Sequence, residues 1–376
     1  DIEISNVGND CFTDANIHFG KVIKPEKPEL KTVSNSTSGV KVSWERVLGA
    51  DKYRVYRKTP SSGWTCLNRE AISTSYTDTT AKSGTTYYYT VKAENKAGIS
   101  EHNTTGLAIK YLATPALKIA NASSGVKVSW NKISGASKYY VYRKASGDKD
   151  WTRLTTSATG TSYTDTKAKS GMTYYYTVRA VSGKVASSFK SSSALIYLAM
   201  PKVSSLSNAN SGITVKWNKI PGASGYYVYR KTSSGSWSRI YTAKNGSTVS
   251  YTDKAAKEGT TYYYTVRAYN GSVKSTYISS SAERRLATPT LKSVSSAKRG
   301  ITLNWDKVTG ASGYYVYRKT ESGGWQKIAI IKKGSIVSYL DKTAKKGVVY
   351  TYTVRAYYGN SVSYYNTKGL NIKDKY

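Results

Sequence analysis

The sequence predicts an all-β chain of four tandem seven-strand sandwiches. Three observations carry this reading. The chain repeats itself at a period of 86 to 88 residues. Each repeat alternates apolar and polar residues at strand period. Helical periodicity never lasts more than a turn. The period is marked by Trp44, Trp130, Trp217 and Trp305, each set in a version of the phrase V-K-V-S-W-N-K. A second Trp follows in every unit, at 64, 151, 237 and 325, and these eight are all the tryptophans of the chain.

Unit boundaries follow from Pro28, Pro115, Pro201 and Pro289, which suit the start of a first strand, where a missing N–H costs little. They give units at 28–112, 113–198, 199–286 and 287–376, after a non-repeating leader at 1–27. No Gly/Ser-rich or Pro-rich linker separates them, so an extended, fairly stiff array is expected. Four sandwiches end to end would reach on the order of 130 Å at the rise of a β-strand.

Within unit two, Val126, Val128 and Trp130 alternate with Lys127 and Ser129, as a half-buried second strand does. In the third strand Tyr139, Val141 and Arg143 alternate with Tyr140 and Tyr142. A turn at 147–150 leads to Trp151 and Leu154, and Ser-Tyr-Thr-Asp at 162–165 makes a short fifth strand. The sixth places Tyr174, Tyr176, Val178 and Ala180 on one face and Tyr175, Thr177 and Arg179 on the other. The last strand is expected over 188–198. The same inward sets recur as Val40, Val42, Trp44; Ile213, Val215, Trp217; and Ile301, Leu303, Trp305. In the sixth strand they recur as Tyr87, Tyr89, Val91; Tyr262, Tyr264, Val266; and Tyr350, Tyr352, Val354. A slip of one residue would move every one of them into water, which fixes the register.

The phrases W-x-x-x-x-G-A-x-x-Y-x-V-Y-R, S-Y-T-D and G-x-x-Y-x-Y-x-V-x-A resemble the fibronectin type III repeats of secreted Firmicutes surface proteins, clostridial ones especially. The resemblance covers 28–376 and implies fibronectin type III-like (Ig-like) sandwiches. It also implies a core role for Trp44, Trp130, Trp217 and Trp305, and a tyrosine corner at Tyr87, Tyr174, Tyr262 and Tyr350. No Arg-Gly-Asp tripeptide occurs, so the adhesion site of the animal family does not carry over.

The formal net charge is +35, a field that attracts polyanions such as teichoic acids and acidic glycans. The basic residues are spread around each unit rather than gathered in a stripe, which argues against a specific nucleic-acid site. No run of 18 apolar residues offers a transmembrane segment. The leader is instead acidic, with Asp1, Glu3, Asp10, Asp14 and Glu26 against three lysines. It reads as the tail of an upstream domain or as an extra strand on unit one. Cys66 stands where the other units carry Arg153, Arg239 and Lys327, and Cys11 lies in the adjoining leader. A Cys11–Cys66 disulfide is therefore expected, in an extracellular setting.

Catalysis is not expected. A nucleophilic triad needs a His, and only His18 and His102 exist, without an identifiable partner. No phosphate loop, cofactor motif or metal-ligand spacing occurs. Asp78, Asp165, Asp253 and Asp341 recur after the fifth strand, each beside Thr or Lys, and read as turn caps rather than calcium ligands.

What remains is surface. The outward positions of the third and sixth strands give one face: Arg54, Tyr56, Tyr88 and Lys92; Tyr140, Tyr142, Tyr175 and Arg179; Tyr227, Tyr229, Tyr263 and Arg267; Tyr315, Tyr317, Thr351 and Arg355. An aromatic row beside cations can stack sugars or hold an anionic polymer, and it can equally be cross-strand pairing that stabilises a wet sheet. The expected role is a monomeric, non-catalytic extracellular spacer or adhesive stalk with no cofactor. Its partner would be a polysaccharide, teichoic acid or host glycoprotein. The alternatives are an accessory region of a larger secreted hydrolase, or a dedicated receptor-binding protein in which one unit departs from the rest; unit one is the candidate.

Replacing Trp130 by Ala is expected to destabilise its unit by roughly 3–5 kcal/mol, a large share of the 5–15 kcal/mol or so typical of a domain. Denaturant unfolding followed by fluorescence measures this.

Overall fold

The computed structural model describes residues 22–376, and every described strand pairing is antiparallel. Unit one contains β1 (Leu30–Asn35), β2 (Val40–Trp44), β3 (Lys52–Lys58), β4 (Thr65–Ala71), β5 (Ser75–Asp78), β6 (Thr86–Asn95), β7 (Gly98–Ile99) and β8 (Leu107–Lys110). One sheet has the order β1-β2-β5. The other runs β4-β3-β6-β7, with β8 also paired to β6. Units two, three and four repeat both sheets in the same order. The chain is thus four eight-strand sandwiches that resemble fibronectin type III and Ig-like folds.

The eighth strand corrects the sequence reading, which gave seven. The single last strand expected at 188–198 is two short pieces, Val185–Ala186 and Leu195–Ile196. Serine hydroxyls interrupt it. Ser187 Oγ accepts from the Ala180 N–H and Ser192 Oγ from the Tyr176 N–H, so side chains satisfy ladder positions that backbone would otherwise fill.

Each unit has its own apolar core. Val40, Val42, Trp44, Tyr89 and Val91 are essentially inaccessible to solvent, and so are their counterparts in the other units. Each core Trp meets the first Tyr of the third strand at a steep angle, with ring centroids 5.4, 5.3, 5.6 and 5.3 Å apart in chain order. Its indole N–H has no hydrogen-bond acceptor among the described residues.

The excess of 36 Tyr over 3 Phe has a physical cause. The buried rings end in hydroxyls that satisfy backbone donors. Tyr53, Tyr139, Tyr226 and Tyr314 accept from the N–H of Val47, Ile133, Ile220 and Val308 at 2.8–2.9 Å. Tyr87, Tyr174, Tyr262 and Tyr350 accept from the N–H five residues upstream, at Lys82, Lys169, Lys257 and Lys345. Phe in these places would leave a buried N–H unpaired, at about 1–3 kcal/mol each.

Consecutive units are fused through their cores. Leu112, placed at the end of unit one by sequence, packs in the core of unit two; Leu198 and Leu286 likewise enter the cores of units three and four. Turn glycines meet backbone to backbone at each junction. A Cβ on Gly135 would lie 2.3 Å from the Gly84 Cα, and one on Gly222 2.4 Å from the Gly171 Cα. Asn35 Nδ2 donates to Lys110 O in its own unit and to Ala186 O in the next.

Residues 22–27 follow the β6–β7 turn of unit one: Asn95 Nδ2 donates to Ile23 O, and Lys24 pairs with Glu101 at 3.6 Å. The rest of the leader, including Cys11 and His18, lies outside the described residues. The expected Cys11–Cys66 pairing therefore falls outside the described residues as well; Cys66 itself is half-buried on β4, its thiol 3.5 Å from Asn68 O.

The third junction differs from the others. Glu283, 8% exposed, faces Tyr262 where the equivalent positions in units one, two and four hold Ile109, Leu195 and Ile372. Asn208 Nδ2 donates to Glu283 Oε1 at 2.8 Å. Burial pushes the Glu283 carboxyl up to about 7, with a Ser361 hydrogen bond opposing the shift. A raised carboxyl favours the folded state in its neutral form. Stability therefore declines as pH rises from the ordinary Glu value through about 7. The thermal midpoint of the cooperative step that includes this junction is expected to be higher at pH 5 than at pH 8 by calorimetry, and Glu283→Leu should remove that part of the difference.

Candidate functional site

Two constellations recur along the chain. The first is internal. The fifth strand ends on an Asp that is at most 1% exposed. In unit one, Asp78 Oδ2 accepts from Arg57 Nη1 at 2.6 Å and from Tyr89 Oη at 2.7 Å, and its Oδ1 accepts from the Thr80 N–H. Asp165 is held by Arg143 and Tyr176, Asp253 by Arg230 and Tyr264, and Asp341 by Arg318 and Tyr352, at 2.6–2.9 Å. The guanidinium lies over the tyrosine-corner ring at 4.7, 5.0, 4.7 and 4.5 Å.

Burial by itself would raise the Asp78 and Asp341 carboxyls. Hydrogen bonds from Thr80, Tyr89 and Arg57, and from Tyr352, Thr343 and Arg318, outweigh it and hold both below the ordinary carboxylate value. The turn-capping read from sequence is present, but these carboxylates do not stand alone. Asp78 and Asp341 accept four hydrogen bonds each, and Asp165 and Asp253 three each, so the cluster ties strands together in a closed interior.

The second constellation is on the surface. The outward side chains of the third and sixth strands meet the second Trp of each unit and an aromatic from the segment before the last strand. In unit four Tyr317, Trp325, Thr353, Arg355 and Tyr365 line a cleft of about 140 Å³. In unit three Tyr229, Trp237, Thr265, Arg267 and Tyr277 line about 110 Å³. In unit two Tyr142, Trp151, Thr177, Arg179 and Phe189 line about 100 Å³.

The arginine is held at one nitrogen. Nε of Arg179, Arg267 and Arg355 donates to Ser187 O, Ser275 O and Ser363 O at 2.8–2.9 Å. Its carbon sits 5.8, 5.5 and 5.6 Å from the Phe189, Tyr277 and Tyr365 ring centroids. The Nη atoms make no hydrogen bond among the described residues. A lysine, Lys144, Lys231 or Lys319, lies over each cleft Trp at 5.2–5.6 Å. A planar fork with two free nitrogens beside aromatic rings suits a carboxylate or sulfate next to a sugar ring. Unit one differs: Lys92 and His102 occupy the Arg and aromatic positions, with His102 edge-on to Trp64 at 6.0 Å. Burial lowers the His102 pKa, so near neutrality the imidazole is uncharged.

The other residues of the expected face lie apart from these clefts. Tyr227 stacks on Tyr269 at 4.4 Å beneath Arg239, and Tyr315 on Tyr357 at 4.5 Å beneath Lys327. Tyr140 lies under Arg153, and Tyr56 under Lys92. Tyr88 and Tyr263 contact Lys58 and Lys231, and Tyr175 sits beside Trp151 at the neighbouring turn. Arg54 is engaged by Glu94 through two hydrogen bonds of 2.6 and 2.8 Å. Thr351 is buried and donates to Asn371 Oδ1. Among the described residues no three His, Cys, Asp or Glu side chains converge to hold a metal ion, and no helix is long and apolar enough to cross a membrane.

No family model matches the chain. Over 176 residues it is 34% identical to a Kelch domain-containing protein of Sulfurisphaera tokodaii, matching 44% of this chain and 23% of that protein. It is 30% identical over 257 residues to exoglucanase B of Cellulomonas fimi (59% of this chain, 21% of that one), and 31% identical over 187 residues to a poly(3-hydroxybutyrate) depolymerase of Ralstonia pickettii (48% and 28%). The chain thus spans between 21% and 28% of the length of these relatives. Among solved structures, domains FN1–FN3 of chicken CNTN1 align over 70% of this chain and 99% of that one, at 18% identity and a TM-score of 0.27. The chicken interferon gamma receptor alpha chain aligns over 46% and 98%, at 14% identity and 0.30.

Asp165→Ala should leave Arg143 charged in a mostly closed site and the Tyr176 hydroxyl unpaired. The expected loss is about 3–5 kcal/mol, as for a broken buried ion pair, confined to the unfolding step of unit two in a denaturant titration.

Proposed function

We propose that this chain is a non-catalytic, extracellular spacer of a secreted or cell-surface bacterial protein, of the kind found in Firmicutes, whose sheet faces bind an acidic polysaccharide or similar anionic polymer. The observation that supports it most is the threefold cleft of units two to four. The same Tyr, Trp, Thr and Arg stand in the same geometry three times along one chain. A polymer with repeating acidic sugars meets such sites in series, and weak subsites add through effective concentration. The net charge of +35 brings the polyanion in. Junctions built on shared leucines and close glycine contacts favour a stiff spacer.

A second reading is favoured by the relatives. Two of them are named as an exoglucanase and a depolymerase, and this chain matches only a minor part of each. On that reading the array is the accessory region of a larger secreted hydrolase and holds a catalytic domain against its polymer. The clefts serve both readings alike.

A glycan and polyanion array at physiological salt tests the shared claim. Uronic-acid or sulfated polymers should be retained by the wild type. The triple variant Arg179→Ala, Arg267→Ala, Arg355→Ala should lose about tenfold or more in affinity, a change of roughly 1.4 kcal/mol. Equal retention by the two proteins would show that charge alone, and not the clefts, holds the polymer.

A further inference from the structure

Units three and four part company at one edge of the sandwich. In unit three the strands Ser238–Ala243 and Ser250–Asp253 end the five- and three-stranded sheets on the same side, each paired on one flank only. Between them Tyr241 lies flat on Tyr251, with centroids 4.2 Å apart and planes 11° from parallel. Thr242 and Thr252 follow the two tyrosines in their strands, Thr248 lies in the connection between them, and Thr252 Oγ1 is 3.0 Å from Thr214 Oγ1. The space is filled by the unit's own ring.

Unit four keeps the same strands, Gln326–Ile331 and Ser338–Asp341, with a connection of the same length. The register sets Ala329 opposite Val316 just as Tyr241 is set opposite Val228. Ala329 therefore replaces the covering ring, and Ile330, Ile336 and Leu340 replace the three threonines. Ile330, Ile336, Leu340 and Tyr339 line a groove of about 540 Å³ next to this position, bordered by Lys332 and Lys333. Ile330 is 50% exposed and Ile336 45%. Neither lysine forms an ion pair among the described residues.

Folding does not explain this exchange. It strips a stacked pair and places apolar side chains in water at a free strand edge, the arrangement most open to pairing with another chain. The features define their complement. The free edge offers backbone donors and acceptors to an extended segment. The vacated space beside Tyr339 matches an aromatic ring, as Tyr241 demonstrates in unit three. Two unpaired lysines call for acidic residues.

We propose that the groove of unit four binds an extended acidic segment of a partner protein, which lays an aromatic side chain on Tyr339 where unit three lays Tyr241. The groove shares no residue with the polysaccharide clefts and does not depend on their function.

The test uses the full chain and a library of heptapeptides, each with one central Tyr or Trp and either Asp/Glu or Lys at alternate positions. Acidic, aromatic-bearing peptides should be enriched. Their affinity should drop about tenfold or more in Ala329→Tyr, which rebuilds the stacked pair of unit three. An unchanged thermal midpoint for that variant would show that the fold is intact. Ile336→Thr, a residue type unit three already tolerates there, should weaken binding in the same direction and serves if Ala329→Tyr fails to fold. No enrichment, enrichment blind to charge, or binding undiminished in both variants would overturn the proposal. So would self-association of the wild type that Ala329→Tyr abolishes, since the occupant would then be a second copy of this chain.

Discussion

A buried carboxylate joins the two sheets of every unit. The Asp at the end of the fifth strand belongs to the three-stranded sheet, while its Arg and Tyr partners come from the third and sixth strands of the other. Three hydrogen-bonding groups thus cross the core at one point, with a ring beneath the guanidinium. The ion pair needs all of its partners: a half-satisfied cluster in a closed interior is worse than an apolar one. That constraint propagates outward. It fixes which residues of the third and sixth strands point inward, and so fixes the alternate set, which forms the face that carries the clefts.

The surface is therefore partly a by-product of the core. Arg143 points in because Asp165 holds it. Tyr142, one residue before, must point out, where it meets Arg179, which shares the outer face of the sixth strand with Thr177. Four repeats of one register give four copies of one face. Departures from the pattern are then easy to see. Lys92 with His102 in unit one and Glu283 at the third junction each break a rule that the sibling units keep, and Ile330 and Ile336 in unit four depart from the threonines of unit three, at no evident gain to folding. Functional divergence between repeats is expected at such positions, because the shared scaffold supplies the rest.

Much of the fold was legible in the alternation. The inward sets ending in Trp44, Trp130, Trp217 and Trp305 are buried as their period required, because strand period leaves one assignment open once a Trp must be inside. Three features were not legible. The last strand is cut by serine hydroxyls, which look like ordinary polar residues in sequence. The Asp–Arg–Tyr cluster brings to each Asp partners that lie 11 to 23 residues away in sequence, and their convergence depends on sheet pairing. Its one sequence signal was an arginine in an inward register, at 57, 143, 230 and 318. The clefts were half visible. Tyr142 and Arg179 were singled out, whereas Trp151 and Phe189 were not, since the side chains after a turn have no periodic signal. The recurrence of a second Trp at a fixed place in each unit was the available clue. Conversely, the departure expected of unit one also occurs in unit four, where only comparison with Tyr241 gives Ala329 a meaning.

Hydroxyl-radical footprinting of the native chain, read by mass spectrometry at each aromatic residue, tests the common register most directly. The account predicts strong protection of Trp44, Trp130, Trp217 and Trp305 and of Tyr89, Tyr176, Tyr264 and Tyr352, with the tryptophans at 64, 151, 237 and 325 modified several-fold faster. Equal modification of the two tryptophan sets, or fast reaction of the tyrosines bound to the buried carboxylates, would contradict it.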